Sequence, residues 1–177
     1  MTRQPISTDQ FKSNPVYLWQ TQWLALVAGD FAKNEYNAMT VAWGSFGCMW
    51  KRPFVQIVVR PGRYTYEFLE KYDTFTLNVF PESQKNALNI LGSKSGRDGD
   101  KIAETGLTLT PSKQIAAPAF EEAELIFECK KIYFQDMNPG NFLDARIDHN
   151  YPQKDYHRIY FGEIAAIEGV EKYREIK

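Results

Sequence analysis

Residues 37–63 read Asn-Ala-Met-Thr-Val-Ala-Trp-Gly-Ser-Phe-Gly-Cys-Met-Trp-Lys-Arg-Pro-Phe-Val-Gln-Ile-Val-Val-Arg-Pro-Gly-Arg. The fold turns on how this stretch divides. Residues 37–44 alternate as a strand, with Ala38, Thr40, Ala42 and Gly44 on one face and Met39, Val41 and Trp43 on the other. Small side chains along one face mean that another backbone or a ligand approaches closely. Ser45 to Cys48 is expected to be a loop whose glycines let backbone amides face a ligand. Residues 54–60 form a nearly continuous apolar run, expected as a strand covered on both faces. That strand delivers Arg60 and Arg63 to the start of a helix.

Outward from this stretch the pattern stays strand-rich. Residues 23–28 read as a strand, with a hairpin turn around Gly29-Asp30 and Lys33-Asn34-Glu35. A helix is expected over 65–72 with Thr65 as its N-cap. Residues 74–80 alternate, with Phe75, Leu77 and Val79 inward and the other face wet. A second helix opens at Pro81-Glu82-Ser83 and is expected to close at Gly92. A polar loop over 93–100 precedes a short helix stopped at Gly106. Residues 123–134 and 158–167 read as long strands around a loop-like segment, 135–156. Many strands with a few short helices predict a β-barrel with helical decoration. No repeat or linker divides the chain, so 1–177 is expected to be a single domain.

Composition narrows the function. The 177 residues carry 21 basic and 22 acidic side chains, so no nucleic-acid footprint is present. Aromatics make up 15% of the chain, which favours strands over a helical bundle. The N-terminal ten residues lack the apolar core of a signal peptide, and the longest apolar run, residues 23–29, is too short to cross a bilayer. Two cysteines without ligand spacing, Cys48 and Cys129, point to a reduced, cytoplasmic setting.

Chemistry-bearing motifs are scarce. The two histidines, His149 and His157, have no metal-ligand spacing, so no metal site is expected. Gly-x-Ser-x-Gly, P-loop and Gly-x-Gly-x-x-Gly motifs are all absent. His157 reads as a partly buried residue at a strand end, and no side chain is assigned as catalytic. An enzyme built from these residues needs a bound cofactor to supply its chemistry. Arg60, Arg63, Tyr64 and Thr65 at a helix start suit an anion, because free N–H groups and guanidinium forks match phosphate oxygens. The basic loop Ser93 to Lys101 is either a lid for that anion or an ordinary polar turn. A flat, polar-edged ligand with a phosphate fits the whole stretch, and a flavin nucleotide has that chemistry.

Residues 37–47 and 58–68 resemble the signature segments of the flavin reductase-like, FMN-binding split-barrel family, which includes flavoredoxin-like proteins. The likeness extends to residues 23–30, 75–78, Ser95-Gly96-Arg97-Asp98 with Lys101, 104–107 and 157–164. The resemblance implies a mainly β fold, a six-stranded antiparallel Greek-key split barrel with a few flanking helices, forming a homodimer with FMN near its seam. It implies that Met39, Thr40, Ser45, Gly47 and Cys48 contact the isoalloxazine and ribityl chain. Arg60, Arg63, Tyr64 and Thr65 take the phosphate, with Ser95, Gly96 and Lys101 as further contacts. The implied activity is NAD(P)H-dependent flavin reduction by hydride transfer to flavin N5. The alternative is a non-catalytic FMN electron carrier reduced by a protein partner. Val27 and Ala42 stand where relatives often carry a threonine and a serine, so two hydroxyls near the expected flavin are missing.

Overall fold

The computed structural model describes residues 2–175. Its strands are β1 (Gln4–Pro5), β2 (Leu24–Asp30), β3 (Glu35–Val41), β4 (Gly44–Met49), β5 (Arg52–Val59), β6 (Thr74–Val79), β7 (Leu109–Thr110), β8 (Ala119–Phe120), β9 (Leu125–Asp136) and β10 (Arg158–Gly169). The helices are α1 (Pro15–Tyr17), which runs into a π-turn at Leu18–Gln22, α2 (Tyr64–Lys71), α3 (Lys85–Ser93) and α4 (Lys101–Thr105). Among the described residues no helix is long and apolar enough to cross a membrane.

Eight strands form one antiparallel sheet in the order β3-β2-β6-β9-β10-β5-β4, with β1 beside β10. Strands β6, β9 and β10 follow one another, and β5 returns beside β10 in Greek-key fashion. This corrects the expected six strands to eight among the described residues, on a hydrogen-bonded path that does not close on itself. The path ends at β3 and β4, which are consecutive in the chain yet not paired with each other. Beside the unpaired edge of β4, the core is filled by the rings of Phe11, Trp19, Phe46 and Phe127.

Alternation in β2 explains the two cores. Leu24, Leu26 and Ala28 face the interior of the curled sheet with Val55, Ile57, Phe75, Leu77 and Phe127. Ala25 and Val27 face outward, under Leu88 and Leu91 of α3 and Phe120 of β8. Val27 therefore belongs to this outer core, and the hydroxyl it lacks is lost from packing. The outer face of β6 is not wet as expected. Thr76 and Asn78 are fully buried there; Thr76 donates to Pro118 O, and Asn78 bonds Ala25 O and the Phe120 amide.

Three boundaries differ from the expectations, each for a physical reason. Residues 45–48 are not a loop but part of β4, paired residue for residue with β5 from Gly44↔Ile57 to Met49↔Arg52. The turn lies instead at Trp50 and Lys51, both with positive φ, 54° and 60°. Two left-handed residues match the right-handed twist of a tight hairpin, but this sequence carries no Asn-Gly to announce it. Helix α2 begins at Tyr64 with Arg63 as its N-cap, which frees Thr65 for another role. Helix α3 passes through Gly92 to Ser93. A Cβ on Gly92 would stand 3.2 Å from Thr40 Cβ, so the glycine serves helix–strand contact rather than termination. The small-residue face of β3 is thus met by another backbone at Thr40. Gly106 does end α4, in the left-handed conformation.

Candidate functional site

Three elements converge where β3 passes the start of α2 and the 93–101 loop. Asn37 opens the signature segment on β3 and is buried. Its side-chain amide donates to Thr65 Oγ1 at 2.7 Å. With that lone pair occupied, the Thr65 hydroxyl keeps its own proton for an acceptor. The loop reaches the same point through Gly96, where an added Cβ would lie 2.4 Å from Asn37 Oδ1 and 2.9 Å from Tyr64. Only glycine allows the loop this close.

Lys101 stands at the base. Its side chain is 4% exposed, and Nζ donates to Leu91 O at 2.9 Å and Lys94 O at 3.0 Å. The carbonyl end of α3 thus holds two of its three protons. Burial, followed by the nearby Arg63 charge, lowers its pKa to about 8. Together Met39, Gly62, Arg63, Tyr64, Thr65, Leu91, Lys94, Ser95 and Lys101 enclose a cavity of about 70 Å³. Its chemistry is that of an anion pocket: a guanidinium, a buried ammonium, a free hydroxyl proton and the first amides of α2.

Met39 and Arg63 also line a second, more open bay of about 350 Å³, with Thr40, Val41, Ala42, Trp43, Val58, Arg60 and His157. The His157 ring lies 5.2 Å from that of Trp43, and its Nδ1 is 2.8 Å from the Tyr151 hydroxyl. Burial, then the Arg60 charge, lowers the imidazole pKa to about 4. His157 is therefore neutral at physiological pH and offers the bay a hydrogen bond rather than a charge.

The residues expected from the sequence divide into two groups. Met39, Thr40, Arg60, Arg63, Tyr64, Thr65, Ser95 and Lys101 line one or both of these spaces. Gly96 and Tyr64 meet behind them, on the wall of a neighbouring groove. Ser45, Gly47 and Cys48 line neither space. Ser45 bonds Gln56 at 3.0 Å, Gly47 lies against the Phe54 ring, and Cys48 is exposed opposite Pro53.

The two arginines also prove unequal. Arg60 holds Asp155 with Nη1 at 3.1 Å and Asn150 O with Nη2 at 2.8 Å, and it stacks on the Tyr151 ring. It ties the 137–157 segment to the end of β5. Arg63 makes one long hydrogen bond, 3.4 Å to Gly92 O, and so has donors to spare.

Asn37, Trp43 and His157 enter the site although the sequence reading gave them no part in it. A polar residue next to the small and apolar run 38–42 is the signal that marks Asn37; nothing local marks His157.

The fold is a curled, open antiparallel sheet in which an open bay and a small cationic cavity share Met39 and Arg63. The family comparison agrees: the chain belongs to the flavin reductase like domain family, whose model matches residues 13–175. An uncharacterised protein of Pyrococcus abyssi is 26% identical over 136 residues, 75% of this chain and 66% of that one. The chain thus spans just under two thirds of that relative. Flavoredoxin of Desulfovibrio vulgaris superposes with a TM-score of 0.66 at 21% identity, covering 91% of this chain and 75% of its own. NADH:FAD oxidoreductase of Streptomyces globisporus gives 0.63 at 19% identity, covering 88% and 73%. The likeness to both is one of fold.

Proposed function

We propose that the chain is an FMN-binding oxidoreductase that oxidises NAD(P)H and delivers the electrons to flavin or another acceptor. The observation that carries this reading is that Met39 and Arg63 line both the open bay and the cationic cavity, which suits a ring in one and a phosphate in the other. When bound, the flavin supplies the redox chemistry by taking hydride at N5. Arg63, Thr65, Ser95 and Lys101 hold the phosphate, and Tyr64 with Gly96 backs them. Met39 and Thr40 support the ring and ribityl chain. Trp43 and neutral His157 wall the bay against water. Ala42, which also lines it, leaves the ring one hydroxyl fewer to bond.

Ser45, Gly47 and Cys48 enter through a second copy of the chain. Trp43, Met49, Trp50, Tyr133 and Phe134 are exposed, and Trp50, Tyr133 and Phe161 form a contiguous aromatic cluster. Apolar patches of this kind mark interaction surfaces. This face and the β4 edge pair two chains in the proposed homodimer. Sedimentation velocity checks this: the native chain runs as a dimer, and Trp50→Asp shifts it towards monomer.

A second reading, an FMN electron carrier reduced by a protein partner, is favoured by one feature of the bay. Its histidine, with a pKa lowered to about 4 by burial, is neutral at physiological pH and does not serve as an acid there. An absorbance spectrum with added FMN, followed anaerobically with NADH and NADPH, separates the two. Fast reduction supports the oxidoreductase; bound but unreduced flavin supports the carrier. A protein without affinity for any flavin ends both.

A further inference from the structure

One rim of the anion cavity is clasped. Gly62 and Ser95 both line the cavity, and Arg97 joins the two. Residues 95–98 form a turn, with the Asp98 amide on Ser95 O at 3.2 Å and the Arg97 amide on Ser95 Oγ at 3.2 Å. From that turn the Arg97 side chain reaches across. Its Nη1 donates to Gly62 O at 3.2 Å and its Nη2 to Glu67 Oε1 at 2.5 Å, while its guanidinium lies 4.9 Å from the Tyr64 ring centroid. Gly96, seated against Asn37 and Tyr64, holds the turn down. Buried Lys101, bonded to Lys94 O, closes the base.

We propose that the Arg97 clasp makes this site selective for a flavin that ends in its phosphate, FMN, against one that continues beyond it, FAD. The inference rests on the flavin reading above and adds its specificity determinant. A ligand entering from the Met39 side places its phosphate in about 70 Å³ and must stop there. A dinucleotide carries a second phosphate and an adenosine past the same point, between Gly62 and Ser95, where Arg97 stands.

Space itself is not limiting outside the clasp. A groove of about 630 Å³ lies beyond Tyr64, Glu67 and Lys101. Tyr64 and Lys101 line both spaces, and Arg97 lies over that shared wall, held to Gly62 O, Glu67 and the Tyr64 ring. Selectivity of this kind comes from obstructing the wrong ligand rather than from extra contacts to the right one.

The test compares dissociation constants of FMN, FAD and riboflavin for the native protein, Arg97→Ala and Glu67→Gln. The native chain is expected to prefer FMN to FAD by at least about tenfold. Arg97→Ala is expected to bring that ratio to within about threefold, because FMN loses more affinity than FAD does. Because losing one positive charge weakens both anionic flavins, the ratio isolates the obstruction. Glu67→Gln, which removes the charge of one clasp partner and leaves Arg97 in place, is expected to move the ratio the same way by less. Equal native affinities, or an unchanged ratio in Arg97→Ala, overturn the clasp while leaving flavin binding standing. If none of the three flavins binds, the flavin reading fails, and the clasp with it.

Discussion

Asn37 and Thr65 are joined inside the protein by a 2.7 Å side-chain hydrogen bond, between residues 28 positions apart in the chain. The bond ties the first turn of α2 to β3 and leaves the Thr65 hydroxyl proton for another acceptor. Asn37→Ala leaves a buried hydroxyl without its partner. It is expected to lower the unfolding free energy by about 1–3 kcal/mol and to weaken FMN more than riboflavin. Urea denaturation and flavin titration measure the two effects. A variant as stable as the native chain would remove the bond from the account.

Lys101 makes anion binding depend on pH. Its pKa in the folded chain is about 8, against the ordinary 10.5 it regains on unfolding. Between these values the unfolded chain binds more protons, so the lysine's contribution makes the protein more stable as pH rises from about 8 to about 10.5. Anion affinity runs the other way, because the ammonium is lost over the same range. FMN affinity is therefore expected to fall above pH 8 in the native chain and to stay level in Lys101→Met. Parallel profiles for the two proteins would take Lys101 out of the phosphate site.

Arg60→Ala and Arg63→Ala are expected to fail differently. Arg63 has spare donors beside the cavity, so its loss is expected to cost FMN about 1.5–3 kcal/mol and riboflavin far less. Arg60 is committed to Asp155, Asn150 and Tyr151. Its loss is expected to release the 137–157 segment to proteolysis while changing the FMN-to-riboflavin ratio little. Matching losses of FMN selectivity in both variants would show that Arg60 leaves its ion pair to bind phosphate.

The β4–β5 hairpin stores removable strain. Lys51 sits at φ 60°, a region that costs a residue with a Cβ roughly 1–2 kcal/mol. After the entropy glycine gives up on folding, Lys51→Gly is expected to stabilise the protein by about 0.5–1 kcal/mol. Thermal unfolding checks it; a lower melting temperature would mean that the Lys51 side chain makes a compensating contact.

Much of the candidate site was legible because its residues cluster locally. Met39 and Thr40 share one strand, Arg63 to Thr65 share one helix start, and Ser95 and Gly96 share the loop that leads into α4 at Lys101. What misled the sequence reading at Ser45 to Cys48 was glycine content, which a turn and an edge strand share. The same ambiguity placed a helix end at Gly92, where the absent side chain admits Thr40.

By itself the sequence determined the strand-rich class, the positions of most elements, and the presence of basic groups beside a helix start. These follow from side-chain periodicity and local backbone preference, which neighbours in the chain express directly. The tertiary structure decided which of those groups act together. Whether Arg60 is free or paired depends on Asp155, 95 residues away. Whether Lys101 holds its proton depends on burial beneath the end of α3. Whether β3 meets β4 depends on a sheet that sends two consecutive strands to opposite ends of its path. Burial, charge pairing and edge exposure are properties of residues brought together from distant parts of the chain, and no local pattern encodes them.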